Sequence, residues 1–259
     1  MINFGVSTTL TWDKDVYYAI NAVGKSFFNF LEIRCEKGHF DFEDEQEIKK
    51  VKRVLKENRV KGSSIHPPKW VDIANKNEWT RMKSLREVEK TILVAKRLNI
   101  PRVILHPGQK NGSMEKVRES IREILEFSQV WEVQPILENT FPGYFASRAE
   151  EIKNIVTEFD LPVCLDTSHA AAKGDNVEQF LKLLKNRITH LHLSDSNMKG
   201  KDDHLIPGEG KINWNPLVNF LSFFDGMAIF ELHPVEKPDP ILAKLNRIRI
   251  NWQNKKINP

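Results

Sequence analysis

The sequence predicts a single (β/α)8 TIM barrel, an α/β fold taking in residues 1–259 as one domain. Three observations carry this. The chain has 259 residues, close to the ~250 typical of one such barrel. Short apolar runs alternate with longer amphipathic stretches, the pattern of parallel βαβ units. Eight such runs share the chain, so each unit has about 32 residues, as in the compact strand-loop-helix units of such barrels. An open doubly wound sheet is the structural rival. It usually opens on a glycine-rich phosphate turn, and Gly5-Val6-Ser7-Thr8 is not one.

The runs follow in order. Ile2 to Ser7 and Phe28 to Ile33 come first, then Val60 to Ile65 and Arg102 to Leu105. Pro135 to Leu137, Val163 to Leu165, Ile188 to Leu193 and Met227 to Phe230 complete the set. Between them, apolar residues recur at helical spacing: Leu85, Val88, Ile92 and Ala95; Val117, Ile121, Ile124 and Leu125; Val177, Phe180, Leu181 and Leu184. Asp13 before the first helix and Ser147 before the fifth are the expected N-caps. Residues from about Asn251 read as a polar tail.

Composition excludes several classes of function. Lys and Arg number 39 against 35 Asp and Glu, a net charge of +4, which is not the concentrated basic patch of a nucleic-acid binder. An anionic small substrate is compatible. No stretch approaches the roughly 20 apolar residues of a membrane span, and the N-terminus has no signal-peptide pattern. A cytoplasmic location is expected, no membrane partner, and an oligomer is compatible. Cys35 and Cys164 are isolated in strand-like runs and read as buried free thiols.

The chemistry-bearing residues are not scattered. Six of the eight histidines lie at or just past a predicted strand end. His66 follows the third strand, His106 the fourth and Glu138 the fifth; Asp166 and His169 follow the sixth. His192 sits late in the seventh, with Asp202 and His204 in the loop beyond it, and Glu231 ends the eighth. Barrel enzymes build their sites at that face. Imidazoles mixed with carboxylates suit zinc, manganese, iron or cobalt better than calcium, which prefers oxygen alone. Taken singly, each has a structural reading: a hydrogen-bonded strand-end histidine, a salt-bridged glutamate, a helix cap at Asp166, a turn at Gly208-Glu209-Gly210. Their joint placement is what argues for a site. By strand alternation His190 points the same way as His192 and lines the site or the barrel. His233 is a candidate hydrogen-bonding neighbour of Glu231, and His39 reads as solvated surface.

The segments Leu137-Glu138-Asn139-Thr140, Cys164 to Ala170, His190 to Ser196 and Asp202 to Gly210 resemble the xylose isomerase-like barrel superfamily across nearly the whole chain. The resemblance implies one of two chemistries. In the sugar and sugar-phosphate isomerase and epimerase branch, one divalent ion (Mn, Zn, Co or Mg) is held by residues matching Glu138, Asp166, His192 and Glu231. The two glutamates then move a proton through a metal-stabilised enediolate, and His169 contacts a substrate oxygen. In the abasic-site endonuclease branch, three zinc ions are held by residues matching His66, His106, Glu138, Asp166, His169, His192, Asp202, His204 and Glu231, and DNA is the partner. Three features favour a small sugar. Leu31-Glu32-Ile33-Arg34 resembles the isomerase pattern, with Glu32 near the sugar. Pro67-Pro68-Lys69-Trp70 lacks the tyrosine-bearing loop of the endonucleases. Basic residues do not gather in the loops after the strands; Lys69, Lys199 and Lys201 would hold a sugar phosphate as easily as a DNA backbone. Lys69, Trp70 and His204 are further candidates for substrate contact, and Trp70 and Phe141 are plausible aromatic walls or packing.

Overall fold

The apolar runs form eight parallel strands in the computed structural model, which describes residues 2–172 and 177–255. They are β1 (Asn3–Ser7), β2 (Phe30–Arg34), β3 (Lys61–His66), β4 (Arg102–Leu105), β5 (Gln134–Glu138), β6 (Val163–Asp166), β7 (Ile188–Leu193) and β8 (Met227–Phe230). Each pairs with the next, and β8 pairs with β1 from Asn3↔Met227 to Val6↔Phe230, which closes the barrel. Closure removes the free edges an open sheet would expose. The helices among the described residues are α1 (Val16–Gly24), α2 (Glu45–Glu57), α3 (Glu78–Leu98), α4 (Met114–Trp131), α5 (Ala149–Glu158), α6 (Thr167–Ala171), α7 (Val177–Leu184), α8 (Asn215–Leu221) and α9 (Pro238–Lys255). A single 3-10 turn, Thr8–Thr11, follows β1. The fold is a (β/α)8 TIM barrel.

Alternation along each strand sorts its side chains into two environments. Leu31, Ile33, Ile65, Val103, Leu105, Leu137, Val163, Leu165, Leu191 and Leu193 belong to the main core between strands and helices. The residues between them face the barrel interior. There Ile104, Ile136 and Cys164 form a small apolar cluster of their own. The same parity turns Glu32, Arg34, Ser64, His66, Glu138, Asp166, His190 and His192 inward. Both cysteines are buried and free.

Two bulges set that parity. In β3 the register passes from Leu31↔Gly62 to Glu32↔Ser64, so Ser63 is the extra residue. In β7 it passes from Val163↔Ile188 to Cys164↔His190, so Thr189 is extra. Counted by twos from Ile188, the histidines would face the helices. The bulge reverses this and brings both inside. Gly5 fills a related need: a Cβ there would lie 2.6 Å from the Phe30 carbonyl and 2.7 Å from Ile229 Cδ1.

Several local expectations need correction. β3, β5 and β6 each run one residue further than the apolar pattern, taking in His66, Glu138 and Asp166, because backbone pairing continues where the side chain turns polar. α1 is capped by Asp15, not Asp13; the Asp15 side chain accepts from Tyr18 N–H at 2.9 Å. α5 is capped at Arg148 rather than Ser147, with Glu151 accepting from the Arg148 N–H at 3.0 Å. Asn251 to Lys255 continue α9, and Trp252 is buried against Trp214 and Phe230; residues 256–259 lie outside the described residues. His39 is buried, its Nδ1 2.6 Å from the Lys14 carbonyl. No helix among the described residues is long and apolar enough to cross a membrane.

Candidate metal centre

Glu138 stands at the middle of the C-terminal face, and both its oxygens are engaged. Oε1 lies 2.9 Å from His192 Nδ1, and Oε2 lies 2.9 Å from His106 Nε2 and 3.3 Å from His66 Nε2. His192 Nδ1 is also 2.9 Å from Glu231 Oε2 and 4.0 Å from Asp166 Oδ2. Asp166 ends β6 and caps α6, accepting from the His169 N–H at 2.7 Å through Oδ1. Its Oδ2 is buried and has no hydrogen-bond partner.

A second element set carries the remaining histidines. His169 Nε2 is 3.4 Å from Asp202 Oδ1, and His204 Nε2 is 2.9 Å from the same oxygen. His204 Nδ1 lies 3.0 Å from the Glu231 carbonyl, tying the seventh loop to the end of β8. The His204 backbone has φ of +39°, a conformation uncommon for a side chain of this size. Asp195 fixes this loop. It accepts from the N–H groups of Ser196, Gly208 and Ile212 and from Trp214 Nε1, at 2.7 to 3.0 Å. The pattern of the sequence did not single out Asp195, nor Asn139, whose side chain exchanges two hydrogen bonds with the Asp166 backbone at 2.8 and 3.0 Å. Both are short polar residues at strand ends, the one signal that could have marked them.

The strand-end candidates thus come together. Glu138, Asp166, His192 and Glu231 each offer an atom within 4.8 Å of the others. So do His66, His106 and Glu138, and so do Asp166, His169 and His204. Cys164, His190 and His192 form a further set inside the barrel, but burial pushes the Cys164 thiol well above its ordinary range, which makes it a poor ligand.

The donor chemistry fits a divalent cation. Buried carboxylates in this number are costly unless a cation neutralises them, and the orphaned Asp166 Oδ2 is the acceptor such an ion would satisfy. Burial raises Asp166 above the usual aspartate range. Burial also disfavours the His192 imidazolium, yet the negative side chains around it, Glu32, Glu231 and Glu138 among them, hold its pKa well above the ordinary value. Glu231 is resisted by burial but drawn down to about 2 by His192. Burial, reinforced by the charge of Arg34, drops His66 to about 4; it is a neutral imidazole at pH 7, the form that ligates metal.

Other candidates sit elsewhere. Glu32 lies below His192, not at the mouth, and is 1% exposed. Its Oε2 accepts from Ser64 Oγ at 2.7 Å and lies 3.0 Å from His192 Nε2 and 3.4 Å from His190 Nε2. Lys69 is exposed on the third loop, where its backbone N–H donates to Glu36. Trp70 is 41% exposed with the Lys83 ammonium over its ring, an outward contact toward α3. Phe141 does reach the site, its ring 6.3 Å from that of His169. His233 contacts the loop, with Nε2 2.8 Å from the Asp202 carbonyl. Lys199 and Lys201 are exposed on the seventh loop.

Comparison with known proteins agrees with this architecture. The family model described as xylose isomerase-like TIM barrel matches residues 19–249, and the chain belongs to that family. It is 29% identical over 190 residues to a probable endonuclease 4 of Mycobacterium leprae, covering 68% of this chain and 75% of the relative. Its fold matches that of a D-tagatose 3-epimerase-like protein with a TM-score of 0.85 at 24% identity, over 98% of this chain and 99% of the other. It also matches IolI, solved with a zinc atom, with a TM-score of 0.83 at 16% identity over 99% and 100% of the two chains.

Proposed function

We propose that this protein is a divalent-metal-dependent sugar or sugar-phosphate isomerase or epimerase. The observation that carries the reading is the convergence of Glu138 Oε1 and Glu231 Oε2 on His192 Nδ1, each at 2.9 Å, with the unpartnered Asp166 Oδ2 beside them. Glu138, Asp166, His192 and Glu231 would hold the ion. Manganese, zinc, cobalt or magnesium would supply Lewis-acid polarisation of a substrate carbonyl and its neighbouring hydroxyl. Glu138 and Glu231 come from strands separated by β6 and β7, so they flank the bound carbon chain. One takes the proton next to the carbonyl and either returns it to the adjacent carbon or leaves the other to deliver it to the opposite face. His66, His106, His169, Asp202 and His204 then bind substrate hydroxyls. The loops after the strands interleave acidic and basic residues, as in Asp13-Lys14-Asp15, Glu36-Lys37 and Lys201-Asp202-Asp203, which supports a small substrate over a DNA duplex.

A second reading has its own observation. The sets His66-His106-Glu138 and Asp166-His169-His204 adjoin the first set through shared Glu138 and Asp166, the layout of a three-zinc phosphodiesterase, and the Mycobacterium leprae relative is a probable endonuclease. Metal analysis together with solvent-hydrogen exchange separates the two. The isomerase reading expects one tightly held ion per chain and deuterium uptake into an aldose or ketose from D2O, abolished in Glu138→Gln and Glu231→Gln. Three ions per chain with salt-sensitive cleavage of abasic DNA, lost in His66→Ala, would overturn it.

A further inference from the structure

We infer that Arg34 is an anion-binding residue, and that the ligand of this site carries a phosphate or carboxylate group on its β2–β3 side. Arg34 ends β2, is paired in register with His66, and faces inward by the parity of Leu31 and Ile33. It is only 5% exposed. Its guanidinium lies over the Trp12 ring, Cζ 5.2 Å from the centroid, and its backbone N–H donates to Thr8 Oγ1 at 3.0 Å. No acceptor among the described residues reaches the guanidinium, and its Nε is buried without a partner.

That is an anomaly for a permanently charged group, since arginine is almost never buried unless paired. Arg81 shows the ordinary arrangement in this chain. It is equally buried, but Glu78 and Glu123 accept from it at 2.6 and 3.1 Å and Ser120 at 3.0 Å. Nearby carboxylates do not perform that service for Arg34. Glu32 Oε2 is engaged by Ser64 and His192 and Glu36 Oε2 by the Lys69 N–H, and although Glu32 Oε1 is also without a partner, neither carboxylate reaches the guanidinium. A planar fork backed by an indole is the arrangement that grips a phosphate or carboxylate with two parallel hydrogen bonds.

The inference deepens the sugar reading and rests on it for the kind of molecule that carries the anion. The test compares three ligands of one carbon chain by calorimetry: a pentitol, its terminal phosphate and the pentonate. Chelator-stripped protein titrated with inorganic phosphate removes any contribution from a bound metal ion. Wild type should bind one of the charged ligands about ten- to a hundredfold more tightly than the neutral one, the range of a charge-assisted pair. Which one wins identifies the anion. Arg34→Met should erase the preference and the phosphate binding while leaving pentitol affinity within about twofold. Arg34→Lys should keep part of both. Because Arg34 is unpaired in the protein, Arg34→Met should also hold or raise Tm. No preference in wild type, a preference that survives in Arg34→Met, or a large loss of Tm in that variant overturns the inference. Deuterium uptake into sugar is scored separately: its absence sinks the isomerase reading while an Arg34-dependent anion preference stands.

Discussion

At the scale of single residues, the decisive contacts are those that leave one atom free for a ligand. Glu32 takes the Nε2 side of His192, so with an ion bound the imidazole would keep its proton there and offer the Nδ1 lone pair to a metal held between it and Glu138, Asp166 and Glu231. A carboxylate behind a ligating histidine fixes its tautomer, and losing it typically costs about 10- to 100-fold in metal affinity. Glu32→Gln should therefore weaken binding of Mn²⁺ or Zn²⁺ by about that factor in a competition titration with a chromogenic chelator; unchanged affinity would rule out the role. His39 makes a different prediction. Burial lowers its pKa below the ordinary 6.5, so between 6.5 and the folded value the unfolded chain binds the extra proton. Stability from neutral His39 is complete above about pH 6.5 and is lost as pH falls through the folded value. Unfolding midpoints in urea should fall below pH 6.5, and His39→Gln should flatten that slope.

At the scale of elements, the seventh loop and the strand ends hold the site together. Asp195 accepts four hydrogen bonds from the loop that presents Asp202 and His204. Asparagine keeps one acceptor oxygen and introduces donors facing donors, each costing about 1–3 kcal/mol when left unsatisfied. Asp195→Asn should lower stability by a few kcal/mol and expose the loop to proteolysis, read by a Tm shift and by limited digestion mapped to residues 195–212. In β1, Gly5→Ala would push a methyl against Phe30 and Ile229. Overpacking of this kind costs about 1–3 kcal/mol, measurable as a lower urea midpoint with little change in slope.

At the scale of the whole molecule, the barrel gathers Glu32, Glu138, Asp166 and Glu231 into its axis with no lysine or arginine paired to any of them among the described residues. A divalent ion bound there couples to folding. At a thousandfold excess over its Kd it adds about 4 kcal/mol, which for a chain of this size is about 8–16 °C in Tm. Stripping with a chelator should lower Tm by that amount, and restoring Mn²⁺, Zn²⁺ or Co²⁺ should recover it; a Tm indifferent to chelation would count against a buried centre.

The sequence by itself determined the barrel and most of the site's cast. Eight apolar runs alternating with amphipathic stretches specify parallel βαβ units, the lack of a glycine-rich first turn favours the closed sheet over the open one, and polar residues placed just where those runs stop meet at the barrel mouth. Glu138, Asp166, His192, Glu231 and the histidines around them were legible for that reason. What the tertiary structure alone decided were facts about depth and partnership. The bulges at Ser63 and Thr189 depend on how neighbouring strands pair, which no periodicity within one strand records. They set Glu32 beneath His192, where the family resemblance had implied a place near the sugar. Burial of His39 depends on a carbonyl 25 residues away, and the isolation of Arg34 on which residues fail to reach it. Local pattern fixes which way a side chain faces; only the packed fold fixes what it meets there.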